Sequence, residues 1–150
     1  MLLAVDIMLG KLARYLRIMG YDTLCSTNCT EKEIVSMSAE EGRILLTRSD
    51  ETASMCTGSV IINADLIKDQ LKIADNALNC SRAQNNWFTR CSICNSMLIS
   101  VEEQKVKNNV PDYVFIKHTD KIRFCHICNR FYWPGTHREK MRARLKEWGF

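Results

Sequence analysis

Along the first half of the chain, short apolar runs alternate with longer amphipathic stretches. Residues 2–5 (LLAV) make an apolar strand candidate that stops at Asp6. From Met8 to Met19, the positions Leu9, Leu12, Ala13, Leu16 and Met19 recur at helical spacing, and Lys11, Arg14 and Arg17 lie largely off that stripe. This predicts an amphipathic helix closed by Gly20. Residues 21–25 (YDTLC) predict a second strand. Thr30, with Glu33 three residues later, has the capping-box pattern, so a second helix is expected from there to Glu41, ended by Gly42. Residues 43–47 predict the third strand, whose ILL run is continuously apolar, as in a strand covered on both faces. A helical turn from Asp50, a strand over 59–63 and a helix from Asp65 to about Leu78 follow. The order β-α-β-α-β-(α)-β-α predicts a small, mostly parallel sheet with helices on both faces.

After about residue 85 the pattern changes. RCSICNSM and RFCHICNR each carry a CxxC pair, with 30 residues between the pairs. A CxxC turn presents two sulfurs to one ion, so Cys91, Cys94, Cys125 and Cys128 meet the tetrahedral requirement of structural zinc. A closed four-thiolate site has no open position, so this zinc is scaffold, and His126, inside the second pair, is surplus as a ligand. MLISV and YVFIKH read as strands of a zinc ribbon. The terminal stretch HREKMRARLKEW reads as a helix with Thr136 as N-cap, Glu139 in the capping-box position and Met141, Leu145 and Trp148 as its apolar stripe. The expected division is 1–85, an α/β domain, and 86–150, a zinc ribbon with a basic terminal helix.

Composition narrows the class. At 150 residues, 46% hydrophobic and 25% charged, the chain is an ordinary globular one. No apolar run approaches the roughly 18 residues of a membrane span, and the first residues lack the basic region and cleavage site of a signal peptide. A cytoplasmic protein with no membrane partner is expected. Cys25, Cys29, Cys56 and Cys80 show no pairing pattern. Residues 1–85 hold 9 Lys/Arg against 11 Asp/Glu, whereas residues 86–150 hold 12 against 6. The basic half is read either as ordinary surface variation or as a surface for a polyanion. Its aromatics Phe131, Tyr132 and Trp133 either stack on RNA or close the ribbon core. His137 is open to phosphate contact or to packing on Trp133.

In an open α/β sheet, ligands gather beyond the carboxyl ends of the strands. Asp6 ends strand one and Asp50 lies just past strand three, so the two acids can meet despite their distance in sequence. Paired carboxylates need a cation or a shared proton, and their oxygens suit Mg²⁺ or Mn²⁺, ions that promote phosphodiester hydrolysis. Each acid also has a plain structural reading. Asp6 and Asp50 are candidate helix caps, and Glu31 and Glu33 are first-turn acids favoured by the helix dipole. Asp65 likewise has capping credentials.

DIMLGKLARYLRIMGYDT, GRILLTRSD, RCSICNSML and CHICNRFYWPGTH together resemble the Mut7-C RNase domain family, over almost the whole chain and in order. The resemblance implies a three-layer α/β PIN-like core with a mostly parallel sheet, followed by a four-cysteine zinc ribbon and a terminal helix. It implies a metal-dependent endoribonuclease that takes RNA as partner, with structural zinc and catalytic Mg²⁺ or Mn²⁺. Asp6 matches the acid after strand one. The family commonly has Thr-Arg-Asp after strand three, whereas this chain has Ser49 there and its acid one residue later, at Asp50. Where the family tends to place an acid near the start of the second helix, this chain has Lys32, flanked by Glu31 and Glu33. Gln70 matches a family glutamine. The candidate catalytic set is therefore Asp6, Asp50, Glu31 and Glu33. Arg48, Ser49, Gln70, Tyr132, Trp133, His137 and Arg142 are candidates for substrate contact or support. The departures at Ser49 and Lys32 motivate an alternative, a catalytically weakened RNA-binding or complex-assembly module on the same fold. A thiol oxidoreductase is a third reading, and it leaves the repeated CxxC spacing unexplained.

Overall fold

The structure, a computed structural model, describes residues 1–25, 30–78 and 84–150; Cys29 and Cys80 lie outside them. Two compact units are present, Met1–Asn95 and Ser96–Phe150.

In the first unit, β1 (Leu2–Val5), β2 (Asp22–Cys25), β3 (Ile44–Thr47) and β4 (Val60–Ile61) form a parallel sheet in the order β2-β1-β3-β4. Its helices are α1 (Gly10–Ile18), α2 (Glu31–Glu40), α3 (Asp50–Ser54) and α4 (Ile67–Leu78). The chain first steps outward from β1 to β2, then returns past β1 to β3. Right-handed crossovers therefore send α1 to one face and α2 and α3 to the other. Accordingly α1 packs on α4, and α2 on α3. Leu3, Leu12, Leu16, Leu45, Leu46, Ile62 and Leu71 are fully buried between these layers. The α/β expectation holds element by element. The capping box at Thr30 is formed in both directions, with the Glu33 backbone N–H on Thr30 Oγ1 at 3.3 Å and the Thr30 backbone N–H on Glu33 Oε2 at 2.7 Å. Asp50 opens α3 as expected, but the cap itself is Ser49, whose hydroxyl accepts from the Thr52 N–H.

Residues 84–95 run alongside α1 and the outer edge of β2. The Phe88 N–H donates to the Ile18 carbonyl, and Trp87 is buried. Gly20 has φ +94°, and a Cβ there would sit 2.4 Å from the Asn86 carbonyl oxygen, so only glycine fits. At the edge of β2, the Thr23 N–H finds its acceptor in the Asn95 side chain at 2.9 Å. An edge donor that would otherwise face solvent is thereby satisfied.

The second unit holds α5 (Glu103–Lys107), α6 (Asp112–His118), the antiparallel hairpin β5 (Arg123–Cys125) and β6 (Arg130–Tyr132), and α7 (Thr136–Glu147). Two expectations are corrected here. YVFIKH is not a strand but most of α6. Within it only Val114 is buried, and it joins Val106 of α5, Val110 between the two helices and Ile122 in one core. Pro111 and Asp112 are ordinary helix-start residues. MLISV forms no strand: Met97 and Ile99 are isolated bridge residues, and Ile99 pairs in both directions with Phe124. The second correction is that Gly135, not Thr136, is the N-cap of α7. The turn at Pro134-Gly135 brings the chain into the helix one residue earlier, and Thr136 becomes its first helical residue.

Candidate active site and metal centre

Beyond the carboxyl ends of β1 and β3 lies a cleft of about 250 Å³, lined by Asp6, Ile7, Met8, Thr30, Glu31, Ile34, Arg48 and Ser49. The strand order reverses between β1 and β3, so the cleft sits at the topological switch point, where open α/β sheets place their ligands.

Asp6 is buried at the centre of a donor cluster. Its Oδ1 accepts the Leu9 N–H at 3.2 Å, capping a 3₁₀ turn over Ile7–Leu9. Its Oδ2 accepts the Thr47 hydroxyl at 2.6 Å and the Arg48 N–H at 2.7 Å. The Ser49 N–H in turn donates to Thr47 Oγ1 at 3.0 Å. Register explains the meeting. Val5 is paired with Leu46, so the next residues in each strand, Asp6 and Thr47, come side by side. Asp6 is thus both cap and cleft acid. A carboxylate has about four lone-pair directions. Three are used, which leaves one on Oδ1 for a further partner.

Glu31, in the first turn of α2, lines the same cleft. Its Oε2 accepts the hydroxyl of Thr52, a fully buried residue of α3, at 2.8 Å. Glu33 is turned back to Thr30 in the capping box. The hydrogen bonds from the Thr30 backbone and hydroxyl hold its carboxyl below the ordinary range. Asp50, exposed in the first turn of α3, is not among the lining residues; Ser49 is. The structure thus brings Asp6, Glu31, Arg48 and Ser49 to one cleft, and sets Asp50 and Glu33 outside its lining. Lys32, like its neighbour Glu33, does not line it. Arg48 pairs with exposed Asp65 at 2.8 Å. Gln70 is buried, and its amide donates to the Ala64 carbonyl at 2.9 Å. As a donor set, two carboxylates with serine and threonine hydroxyls are hard oxygen ligands, which suit Mg²⁺ or Mn²⁺.

Sequence reasoning did not pick out Thr47 and Thr52, the two buried hydroxyls that orient the acids. The signal for Thr47 was available, since it is the polar residue that ends an apolar strand beside the acid ending another.

The cysteine centre is explicit. The Sγ atoms of Cys91, Cys94, Cys125 and Cys128 all lie within 4.8 Å of one another. None is in a disulfide. Sulfurs bound tetrahedrally at about 2.3 Å stand about 3.8 Å apart, so the cluster fits zinc. The Cys128 N–H donates to Cys125 Sγ at 3.3 Å, and the Ser96 hydroxyl lies 3.1 Å from the same sulfur. Donors of this kind stabilise a thiolate ligand. His126 is exposed and outside the cluster. Behind the first pair, buried Arg17 donates to the Ile93 carbonyl at 2.6 Å and to the Thr23 carbonyl at 2.8 Å. Burial lowers its pKa against the opposing pull of Cys25, Cys91, Cys94 and Asp22. In the second unit, Trp133 packs against the Val106 core, Tyr132 lies half-buried in β6, and His137 and Arg142 are exposed on α7.

A parallel sheet with an acid cleft at its switch point, together with a four-cysteine centre, is the architecture of a nuclease-like α/β protein with a zinc ribbon. The chain belongs to the Mut7-C RNAse domain family, whose model matches residues 1–145. Membership indicates a nuclease-like role with RNA as substrate or partner. No curated protein and no solved structure matches the chain. No helix among the described residues is long and apolar enough to cross a membrane.

Proposed function

We propose that the protein is a cytoplasmic, metal-dependent endoribonuclease that hydrolyses RNA phosphodiester bonds in the cleft between β1 and β3. Residues 1–85 are the PIN-like catalytic part, and residues 86–150 the zinc ribbon and basic helix that assist in holding RNA. The observation that carries this reading is the convergence of Asp6 and Glu31 on one cleft beside Arg48 and Ser49.

Asp6 and Glu31 would hold Mg²⁺ or Mn²⁺. When bound, the cation supplies charge neutralisation at the phosphate and a water acidic enough to attack as hydroxide. Thr47 and the Arg48 N–H keep Asp6 aimed. Thr52 keeps Glu31 turned to the cleft. Ser49 Oγ already accepts from the Thr52 N–H, so its proton is left to donate to a phosphate oxygen. The Arg48 guanidinium sets positive charge where the pentavalent phosphorus gathers negative charge. Water attacks phosphorus in line and the bond to the 3′ oxygen breaks, leaving a 3′-hydroxyl and a 5′-phosphate.

The second reading, an RNA-binding module with weakened catalysis, is favoured by one observation, that Asp50 and Glu33 do not line the cleft. The deciding experiment is cleavage of mixed single-stranded and structured RNAs by zinc-loaded protein with Mg²⁺ or Mn²⁺, comparing wild type with Asp6→Asn, Glu31→Gln and Asp50→Asn. Loss in the first two variants and retention in the third is the expected pattern. RNA binding by wild type without cleavage would establish the second reading.

A further inference from the structure

The hydrolysis leaves the apolar part of the cleft unused. Ile7 and Met8 follow Asp6 directly in the 3₁₀ turn, and both line the cleft. They are 55% and 75% exposed, whereas Leu9, the next residue, is 1% exposed. The turn thus sinks its third side chain into the core and holds the first two out. Scattered exposed apolar residues are ordinary on a surface; what marks these two is their place in the lining of an acid cleft. They are also fastened to one of its acids. The Leu9 N–H donates to Asp6 Oδ1 at 3.2 Å and to the Asp6 carbonyl at 3.1 Å, and the Gly10 N–H donates to the Ile7 carbonyl. The backbone that carries the two apolar side chains is therefore set relative to the carboxylate.

Ile34 of α2 adds a third apolar side chain to the same lining, so the cleft joins an apolar portion to Asp6, Glu31, Arg48 and Ser49. A ligand that uses such a lining in full carries charge close to an apolar face. A nucleotide does: its phosphate suits the polar groups, and the flat face of its base suits the apolar ones. At about 250 Å³ the cleft is smaller than the roughly 300–1,000 Å³ of sites for drug-sized ligands, which suits one base and not a stack of them. Methionine is unbranched and polarizable, and it adapts to partners of different outline and favours aromatic contact. A seat built on it therefore discriminates little between one base and another. Its demand is of a different kind. A base inside a duplex is stacked on both faces and paired at its edge, so it must leave the helix to lie against a side chain.

We propose that Met8, with Ile7 beside it, seats an unpaired base next to the scissile phosphate, and that this seat makes the cleft specific for single-stranded RNA of any sequence. The inference deepens the ribonuclease reading and rests on it for the phosphate. Met8 and Ile7 touch the base and not the reacting atoms. They select the substrate and position it, and the acids act on what they hold.

The test is methyl NMR of the zinc-loaded full chain with its seven methionines labelled at the methyl carbon, in Ca²⁺ rather than Mg²⁺ or Mn²⁺. The protein is titrated with a single-stranded RNA, the same strand in a duplex, and an abasic strand of equal length. The Met8 signal is assigned by its absence from Met8→Leu. With the single strand it should move upfield, as a methyl group over an aromatic face does, and with the duplex and the abasic strand it should stay near its free position. Met1, 54% exposed at the other end of β1, is the internal control and should not move. Met8→Ala should weaken single-strand binding about 5-fold, leave duplex binding as it was, and lose most of the preference between them, while Met8→Leu should retain most of it. Met8 is so exposed that neither change threatens the fold, and the other six methyl signals check this. A Met8 signal that ignores the single strand, or moves equally with the abasic strand, would overturn the proposal, and so would an undiminished preference in Met8→Ala. Cleavage in Mn²⁺ by the same proteins separates this idea from the one it rests on. Wild type that shows the base-dependent shift but never cleaves sinks the ribonuclease reading alone. Wild type that cleaves duplex and single strand equally well sinks this one alone.

Discussion

Thr47 is the residue on which the cleft most directly depends after the acids themselves. Its hydroxyl donates to Asp6 Oδ2 and accepts the Ser49 N–H, so one buried atom joins the ends of β1 and β3. Thr47→Val keeps the shape and deletes both bonds. The Ser49 N–H is left without its acceptor and the Asp6 carboxylate loses one of three donors. Such a loss costs about 1–3 kcal/mol in a buried setting. Urea denaturation should show that loss, and cleavage should fall about 10-fold, while Thr47→Ser, which retains the hydroxyl, should recover most of both. A rate that is unchanged in Thr47→Val would mean that Asp6 needs no such orientation. The two glutamates of α2 make a second contrast, because the same residue type serves different ends two positions apart. Glu31 reaches Thr52 and the cleft, whereas Glu33 is committed to Thr30. Glu31→Gln should therefore lower cleavage about 100-fold with little change in folding. Glu33→Gln should leave cleavage near wild type and weaken α2 instead, most visibly above the ordinary carboxylate range. The sign follows from the lowered pKa of Glu33. Its contribution is present above its unfolded value and lost as pH falls through the folded one. Thermal melts of wild type and variant, compared across that range, measure it.

At the scale of elements, residues 84–95 hold to the first unit through a small polar hub on Asp22. Arg43 pairs with Asp22 at 2.7 Å, Arg90 at 3.1 Å, and Asn95 donates at 2.9 Å. Burial by itself would raise the Asp22 carboxyl. The hydrogen bonds from Arg43 and Asn95 and the charges of Arg90 and Arg43 outweigh it, so the pKa lies below the ordinary value. The stability this adds is present above about pH 4, the usual unfolded aspartate value, and is lost as pH falls below it through the depressed folded value. Asp22→Asn should flatten that part of the acid-stability curve, followed by the fluorescence of buried Trp87. Gly20→Ala tests the same docking sterically. With φ +94° and the Asn86 carbonyl oxygen at 2.4 Å from the added Cβ, it should destabilise the protein by more than about 1 kcal/mol, against the gain that glycine removal gives at permissive sites. The sequence made β1, α1 and α2 readable because each carries a single unambiguous period or cap. It left α6 hidden because YVFIKH is a short apolar run without a readable period, of which only Val114 is buried. The start of α7 was off by one residue because a Thr-x-x-Glu pattern carries no information about the turn at Pro134-Gly135. The cleft was legible as to Asp6, at the end of an apolar strand. The sequence alone leaves Glu31 and Glu33 as equal candidates, since only packing of α2 on α3 brings Thr52 within reach of Glu31.

For the whole molecule the decisive quantity is the free energy contributed by metal. The second unit spans 55 residues, Ser96–Phe150, and its main buried cluster rests on Val106, Val110, Val114 and Ile122. A core of that size supplies only a few kcal/mol, whereas structural zinc contributes about 10–16 kcal/mol of apparent binding energy that counts toward folding. Four cysteines drawn from two CxxC turns, with no disulfide among them, can hold such an ion. Purified protein should therefore carry one zinc per chain. Titration with a thiol reagent should release it only as the four ligand cysteines react, and Cys25 should react slowly, because burial raises its pKa against the pull of Arg17. Cobalt in place of zinc should show the visible spectrum of tetrahedral thiolate coordination. Chelation should abolish the cooperative melt of the hairpin and α7 and reduce RNA affinity along with it. Re-addition of zinc, but not of Mg²⁺, should restore both. A protein that stayed cooperatively folded after complete zinc removal would show that the valine core suffices alone, and would reduce the four cysteines to an accessory site.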